Sequence, residues 1–228
     1  MNKFFYPLLY ALLNMRNMRR LFFAWILVLP LGIFAQTKPQ PPIPVELMVG
    51  HERINVSFSV NKPIAGNWRF NNITSAVADY KNTRSETELV VVNSLVYQLH
   101  PYFGASGGLQ YHFLKGLVPN VAFHASYADP TWLLVFTPYM NMLPNRNLET
   151  VAIAEFKPQL SENLKLFTRA QALYNHDLTE NFHDRSYYYF RLGLSVKKFT
   201  FGVAANLDYY GPNRMYKDNF GGFLKVDI

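Results

Sequence analysis

Three groups of residues have the types and spacing to do chemistry. In His124-Ala125-Ser126 an imidazole and a hydroxyl stand two residues apart, which on an extended strand puts both on one face. A base beside a hydroxyl is the start of a nucleophilic centre for acyl transfer, which also needs a group to orient the imidazole and donors for the oxyanion. No acid or amide stands at a matching place on the next strand, where Asn141 is nearest. Ser126 and His124 are therefore catalytic candidates whose plainer role is to line a polar interior. The second group, His176-Asp177, Glu180 and His183-Asp184, collects imidazoles and carboxylates suited to zinc or another divalent ion. Its spacing matches no recognised site, and a solvated loop over 175–184 would carry such residues anyway, so His176 and His183 stand as metal candidates only. No cofactor is implied. The third group is a set of charges and phenols on alternating segments: Arg191, Asp208, Lys225 and Asp227, with Tyr187 and Tyr189.

What must position them is a series of strands. From about residue 45 the dominant period is two. Tyr188, Phe190, Leu192, Leu194 and Val196 share one face, and Tyr187, Tyr189, Arg191, Gly193 and Ser195 the other. Phe199, Phe201, Val203, Ala205 and Leu207 oppose Thr200, Gly202, Ala204, Asn206 and Asp208, and Leu224 and Val226 oppose Lys225 and Asp227. Ile54, Val56, Phe58 and Val60 alternate with Asn55, Ser57, Ser59 and Asn61. In a soluble sandwich the apolar face would point into a core. Here one face is aromatic and apolar while the other is small and polar with occasional charges of both signs, the arrangement of a transmembrane barrel. Strands of about 9–11 residues cross the hydrocarbon when tilted. Trp68, Tyr80, Tyr102, Tyr127, Trp132, Tyr139, Tyr174 and Tyr209 near segment ends fit interfacial girdles.

The chain has 228 residues, no Cys and a formal charge of +7. The missing Cys excludes a disulfide scaffold, thiol catalysis and a zinc finger. Four positive charges, Lys3, Arg16, Arg19 and Arg20, fall in residues 1–35, which hold no acid; the remainder has 18 basic and 15 acidic groups, a net of +3. Nothing outside that segment clusters enough Lys and Arg to bind nucleic acid. Met18-Arg19-Arg20 followed by the apolar run Leu21 to Phe34 and Ala35 has the form of a cleaved signal peptide, with translation expected to start at Met15 or Met18. The expected division is 1–35 signal peptide, 36–44 proline-rich linker and 45–228 barrel.

Leader, alternating hairpins and a last strand running into Ile228 resemble small outer-membrane β-barrel proteins of diderm bacteria. The resemblance implies an all-β, antiparallel, up-and-down transmembrane barrel in the outer membrane. Lipid and the barrel-assembly machinery would be its partners. The His124/Ser126 pair is similar to how outer-membrane phospholipase A and lipid A deacylase present base and nucleophile, although the phospholipase motif continues with Asn where Tyr127 stands here. Short and longer connections alternate, and carrying that alternation to the start makes Val45–Val49 a strand of its own. Twelve strands result, with ten as the alternative. The longer connections, including 175–184 and 211–218, are expected outside the cell, both termini in the periplasm. Three functions remain open: a non-enzymatic barrel with a narrow or plugged pore or a structural role, a lipid acyl hydrolase, and an adhesion or receptor barrel acting through those two loops.

Overall fold

The structure, a computed structural model, describes residues 41–81, 83–142 and 146–228. The expected leader and most of the linker lie outside the described residues. Thirteen strands form in chain order: β1 (Pro44–Gly50), β2 (Arg53–Ala65), β3 (Trp68–Asp79), β4 (Glu88–His100), β5 (Phe103–His112), β6 (Gly116–Ala128), β7 (Trp132–Asn141), β8 (Asn147–Phe156), β9 (Gln159–Ser161), β10 (Leu164–Asp177), β11 (Phe182–Val196), β12 (Phe199–Tyr210) and β13 (Met215–Asp227). β9 is a three-residue addition beside the start of β10. Without it, twelve antiparallel strands each pair with two neighbours, and β1 closes the ring against β13. Closure gives every strand a partner on both sides, which is what hydrocarbon demands of a sheet.

The seam shows why small residues sit there. Pro44 pairs with Asp227 at one end, here called the near end, and Gly50 with Gly221 at the other, the far end. A Cβ on Gly221 would lie 2.0 Å from the Val49 carbonyl oxygen, so only glycine admits this approach. The two-residue turn Lys197-Lys198 joins β11 to β12 at the near end with Lys197 at φ 54°, and Gly66 does the same for β2 and β3. In the near-end turn from β6 to β7, Asp129 accepts from the backbone N–H groups of Trp132 and Thr131 and from the Tyr127 hydroxyl. The Trp132 N–H, then the phenol and the Thr131 N–H, hold its carboxyl below the ordinary aspartate range.

Alternation runs as the residues dictate. Phe190, Leu192, Leu194, Phe199, Phe201, Val203 and Leu224 are exposed on the outer wall, while Arg191, Thr200, Asn206, Asp208, Asn219 and Lys225 are buried inside. A sheet apolar outward and polar inward is a transmembrane barrel of outer-membrane type. Trp68, Tyr80, Tyr102, Tyr127, Trp132 and Tyr174 are exposed, as a girdle requires. Tyr139 is not among them: it is buried in the lumen, because its strand phase runs Leu133, Val135, Thr137, Tyr139, Asn141 inward.

Two connections are shorter than their composition suggests. β10 continues to Asp177 and β11 begins at Phe182, leaving 178–181 as the connection, and β13 begins at Met215, leaving 211–214. The polar residues read as loop belong to strand ends standing beyond the apolar band, where polarity carries no penalty.

Candidate functional site

The lumen gathers the charges. At the far end Arg185 of β11 reaches Glu88 of β4, Nη1 to Oε2 2.6 Å, and Asp208 of β12, Nη2 to Oδ1 2.8 Å. By either way round the ring β4 and β11 are six strands apart, so the Glu88 pair is a bolt across the full diameter. Tyr189 donates to Asp208 at 3.0 Å, and Arg53 of β2 faces the other oxygen of Asp208 at 3.4 Å. The Arg185 guanidinium also lies 4.9 Å from the Tyr210 ring centroid and 5.4 Å from that of Tyr187, within cation–π range. Lys115 to Asp184 at 2.6 Å and Lys217 to Glu86 add two further long-range pairs at this mouth.

A second network stands deeper. Glu46 of β1 accepts from Arg191 Nε at 2.9 Å and from Arg169 Nη2. Arg169 also faces Glu155 at 3.8 Å, Glu155 holds Lys157 at 2.9 Å, and Arg191 donates to Asn206 at 2.8 Å. Beside them Met48 and Phe167 are 0% exposed and Phe223 is 4% exposed, packed with Ala204. Arg169 and Lys225 lie over Phe167 and Arg191 over Phe223, so cations and rings fill the space together. Opposite, Tyr139, Val92 and Ala122 form a second apolar cluster. Buried charges need partners and hydrogen bonds, and both networks supply them. Along β2 and β3 the inner face is thinner: Asn55, Ser57, Ser59 and Ser75 keep partial exposure and Ile73 is exposed, a mostly polar crevice beside the filled half.

Arg191, Asp208, Tyr187 and Tyr189 thus stand in the lumen where alternation places them. Lys225 and Asp227 pair with each other at 3.0 Å near the opposite end. Among the members that the sequence reading does not reach are Glu46, Arg53 and Glu88. Their signal was present, since Glu46, Met48 and Gly50 share a face, as do Arg53 and Asn55. The short first strand and the loop-like sequence before Glu88 left those phases unassigned.

The other candidates are placed differently from expectation. His124 faces the lumen, but its hydroxyl partner is Ser106 of β5, Nε2 to Oγ 2.7 Å, across the strand pair rather than Ser126 along it. Ser126 is exposed near the end of β6. The His124 ring lies edge-on to Tyr139 at 6.2 Å, and among the described residues no carboxylate hydrogen-bonds it. His183 is buried with one ring nitrogen on the Gly211 carbonyl at 2.8 Å and the other on the Ser186 hydroxyl at 3.0 Å. His176 stacks on Tyr174 and faces Asn181 at 3.1 Å. With both its nitrogens engaged, His183 ties two far-end hairpins together, and among the described residues no group of three His, Asp or Glu converges as metal ligands.

No family model matches the chain, and no curated protein sequence matches it. Among solved structures it is similar to the NanC porin, at 10% identity over 82% of this chain and 99% of that one, with a TM-score of 0.47. The KdgM porin gives 9% identity, 82% and 98% coverage and a TM-score of 0.45. LpxR from Salmonella typhimurium gives 5%, 82%, 99% and 0.45. Likeness of this grade assigns no activity, since one barrel architecture serves pores and enzymes alike.

Proposed function

We propose that the protein is a non-enzymatic outer-membrane barrel whose lumen is a constricted pore, held shut to steady ion flow by its own side chains. The observation that carries this is the bolt from Arg185 to Glu88 across the diameter, seated above the Glu46–Arg169–Arg191 network and the Phe167–Phe223 fill. Charges of opposite sign neutralise one another in such a lumen instead of offering a path to one ion. Lipid covers the outer wall, and the barrel-assembly machinery is the expected partner during insertion.

The alternative, acyl hydrolysis, draws support from the Ser106–His124 contact. Among the described residues it lacks a group to orient the imidazole, and the pair faces the lumen rather than lipid. An adhesion reading must work with connections of four residues, 178–181 and 211–214.

Ion flux through liposomes carrying the refolded protein tests the proposal. Wild type should show no steady flux above empty vesicles, and Arg185→Ala, which withdraws the bolt, should show steady flux on the order of tenfold above the empty-vesicle background. Equal steady flux from both proteins would overturn it.

A further inference from the structure

The outer wall carries a polar interruption in the middle of the apolar band. Asn72 near the centre of β3 and Asn93 near the centre of β4 are register partners facing outward, alternating with the inward Asn71 and Ser94. Asn72 donates through Nδ2 to Asn93 Oδ1 at 2.8 Å, and the Thr74 hydroxyl donates to Asn72 Oδ1 at 3.1 Å. Around them the wall is Phe58, Val60, Leu95 and Leu109. An amide has two N–H groups and a carbonyl. The pair uses one N–H between them, so both N–H groups of Asn93 and the second of Asn72 have no acceptor among the described residues. Acyl chains offer no acceptor, and a donor left in hydrocarbon is costly. Next to Asn93's strand, Gly107 of β5 is exposed and pairs with Leu95, and a Cβ placed on it would touch nothing within 4 Å. A polar pair beside a small residue is the composition of contacts between membrane-spanning helices, and the same physics of close approach and hydrogen bonding in lipid applies to a barrel wall.

We infer that the outer wall of β3–β5 is a contact between two copies of this chain, with the Asn72 and Asn93 amides of one copy hydrogen-bonded to the same amides of the other. The occupant follows from the chemistry. A two-fold contact brings a patch against itself, and an amide is its own complement because it donates and accepts at once. Gly107 lets the two walls approach.

The chain has no Cys, so one introduced thiol reports one contact. In lipid vesicles with a mild oxidant that accepts the two electrons of disulfide formation, full-length Gly107→Cys should cross-link to a dimer, and Val203→Cys on the distant β12 wall should not. Ala105→Cys, outward on the same strand, serves should Gly107→Cys fail to fold, which heat-modifiable gel mobility reports. Adding Asn72→Leu and Asn93→Leu should cut the cross-link yield about tenfold, while leaving a folded barrel. A Gly107→Cys or Ala105→Cys protein that stays monomeric overturns the inference, and so does a dimer unaffected by the leucines. Equal cross-linking from Val203→Cys overturns it as well.

Discussion

Glu46→Ala is expected to lower the unfolding free energy of the barrel by about 3–5 kcal/mol, the usual consequence of removing one member of a buried ion pair. The carboxylate serves two cations, Arg169 and Arg191, and its side chain is 6% exposed with Arg191 at 3%. Without it both guanidiniums remain in place with their positive charges facing each other across the vacated space. Asn206 still accepts from Arg191 and Glu155 still faces Arg169, so the loss is bounded. Glu46→Gln, which keeps the shape and a carbonyl acceptor but not the charge, should lose less. Equilibrium urea unfolding in vesicles, followed by tryptophan fluorescence, measures both. A loss below about 1 kcal/mol for Glu46→Ala would mean that water already carries those charges, as it does for exposed pairs.

Phe167→Ala should cost about 3–5 kcal/mol by the same measurement, here through a cavity. The ring is 0% exposed, 5.9 Å from the Phe223 ring and packed with Met48. Its removal also leaves Arg169 and Lys225 without the ring they cover. If water enters the space the cost falls toward the lower figure, and the barrel should then leak, so stability and flux report on one event. Glu46→Ala and Phe167→Ala share Arg169 as a neighbour, and their combined effect should fall short of the sum.

Much of this lumen is legible from alternation alone. Tyr187, Tyr189, Arg191 and Asp208 face inward as period two requires, and the separate strand at Val45–Val49, inferred from the alternation of connections, is β1. What alternation cannot express is which strands meet across the ring. Glu88 and Arg185 are 97 residues apart, Glu46 and Arg191 145, and nothing local links them. For the same reason His124 pairs with Ser106, 18 residues away on a neighbouring strand, instead of with Ser126 on its own. The far-end strands extend past the expected boundaries because His176, Asp177, His183 and Asp184 are polar where the barrel stands above lipid, and composition there resembles a loop. Tyr139 lies in the lumen and not on the expected girdle, since a tyrosine near a strand end suits either wall and only the phase of β7 decides it.

A charge exchange across the diameter tests the constricted-pore account most directly. Glu88→Arg and Arg185→Glu should each give a conducting barrel in planar bilayers, because each alone sets like charges face to face beside Asp208 or across the lumen. Together they restore an opposite pair between β4 and β11 while the carboxylate introduced at position 185 still faces Asp208, so the double variant should conduct less than either single variant without falling to the silent wild type. A double variant that conducts as freely as the sum of its parts, or a wild type that conducts steadily, would contradict closure by this bolt.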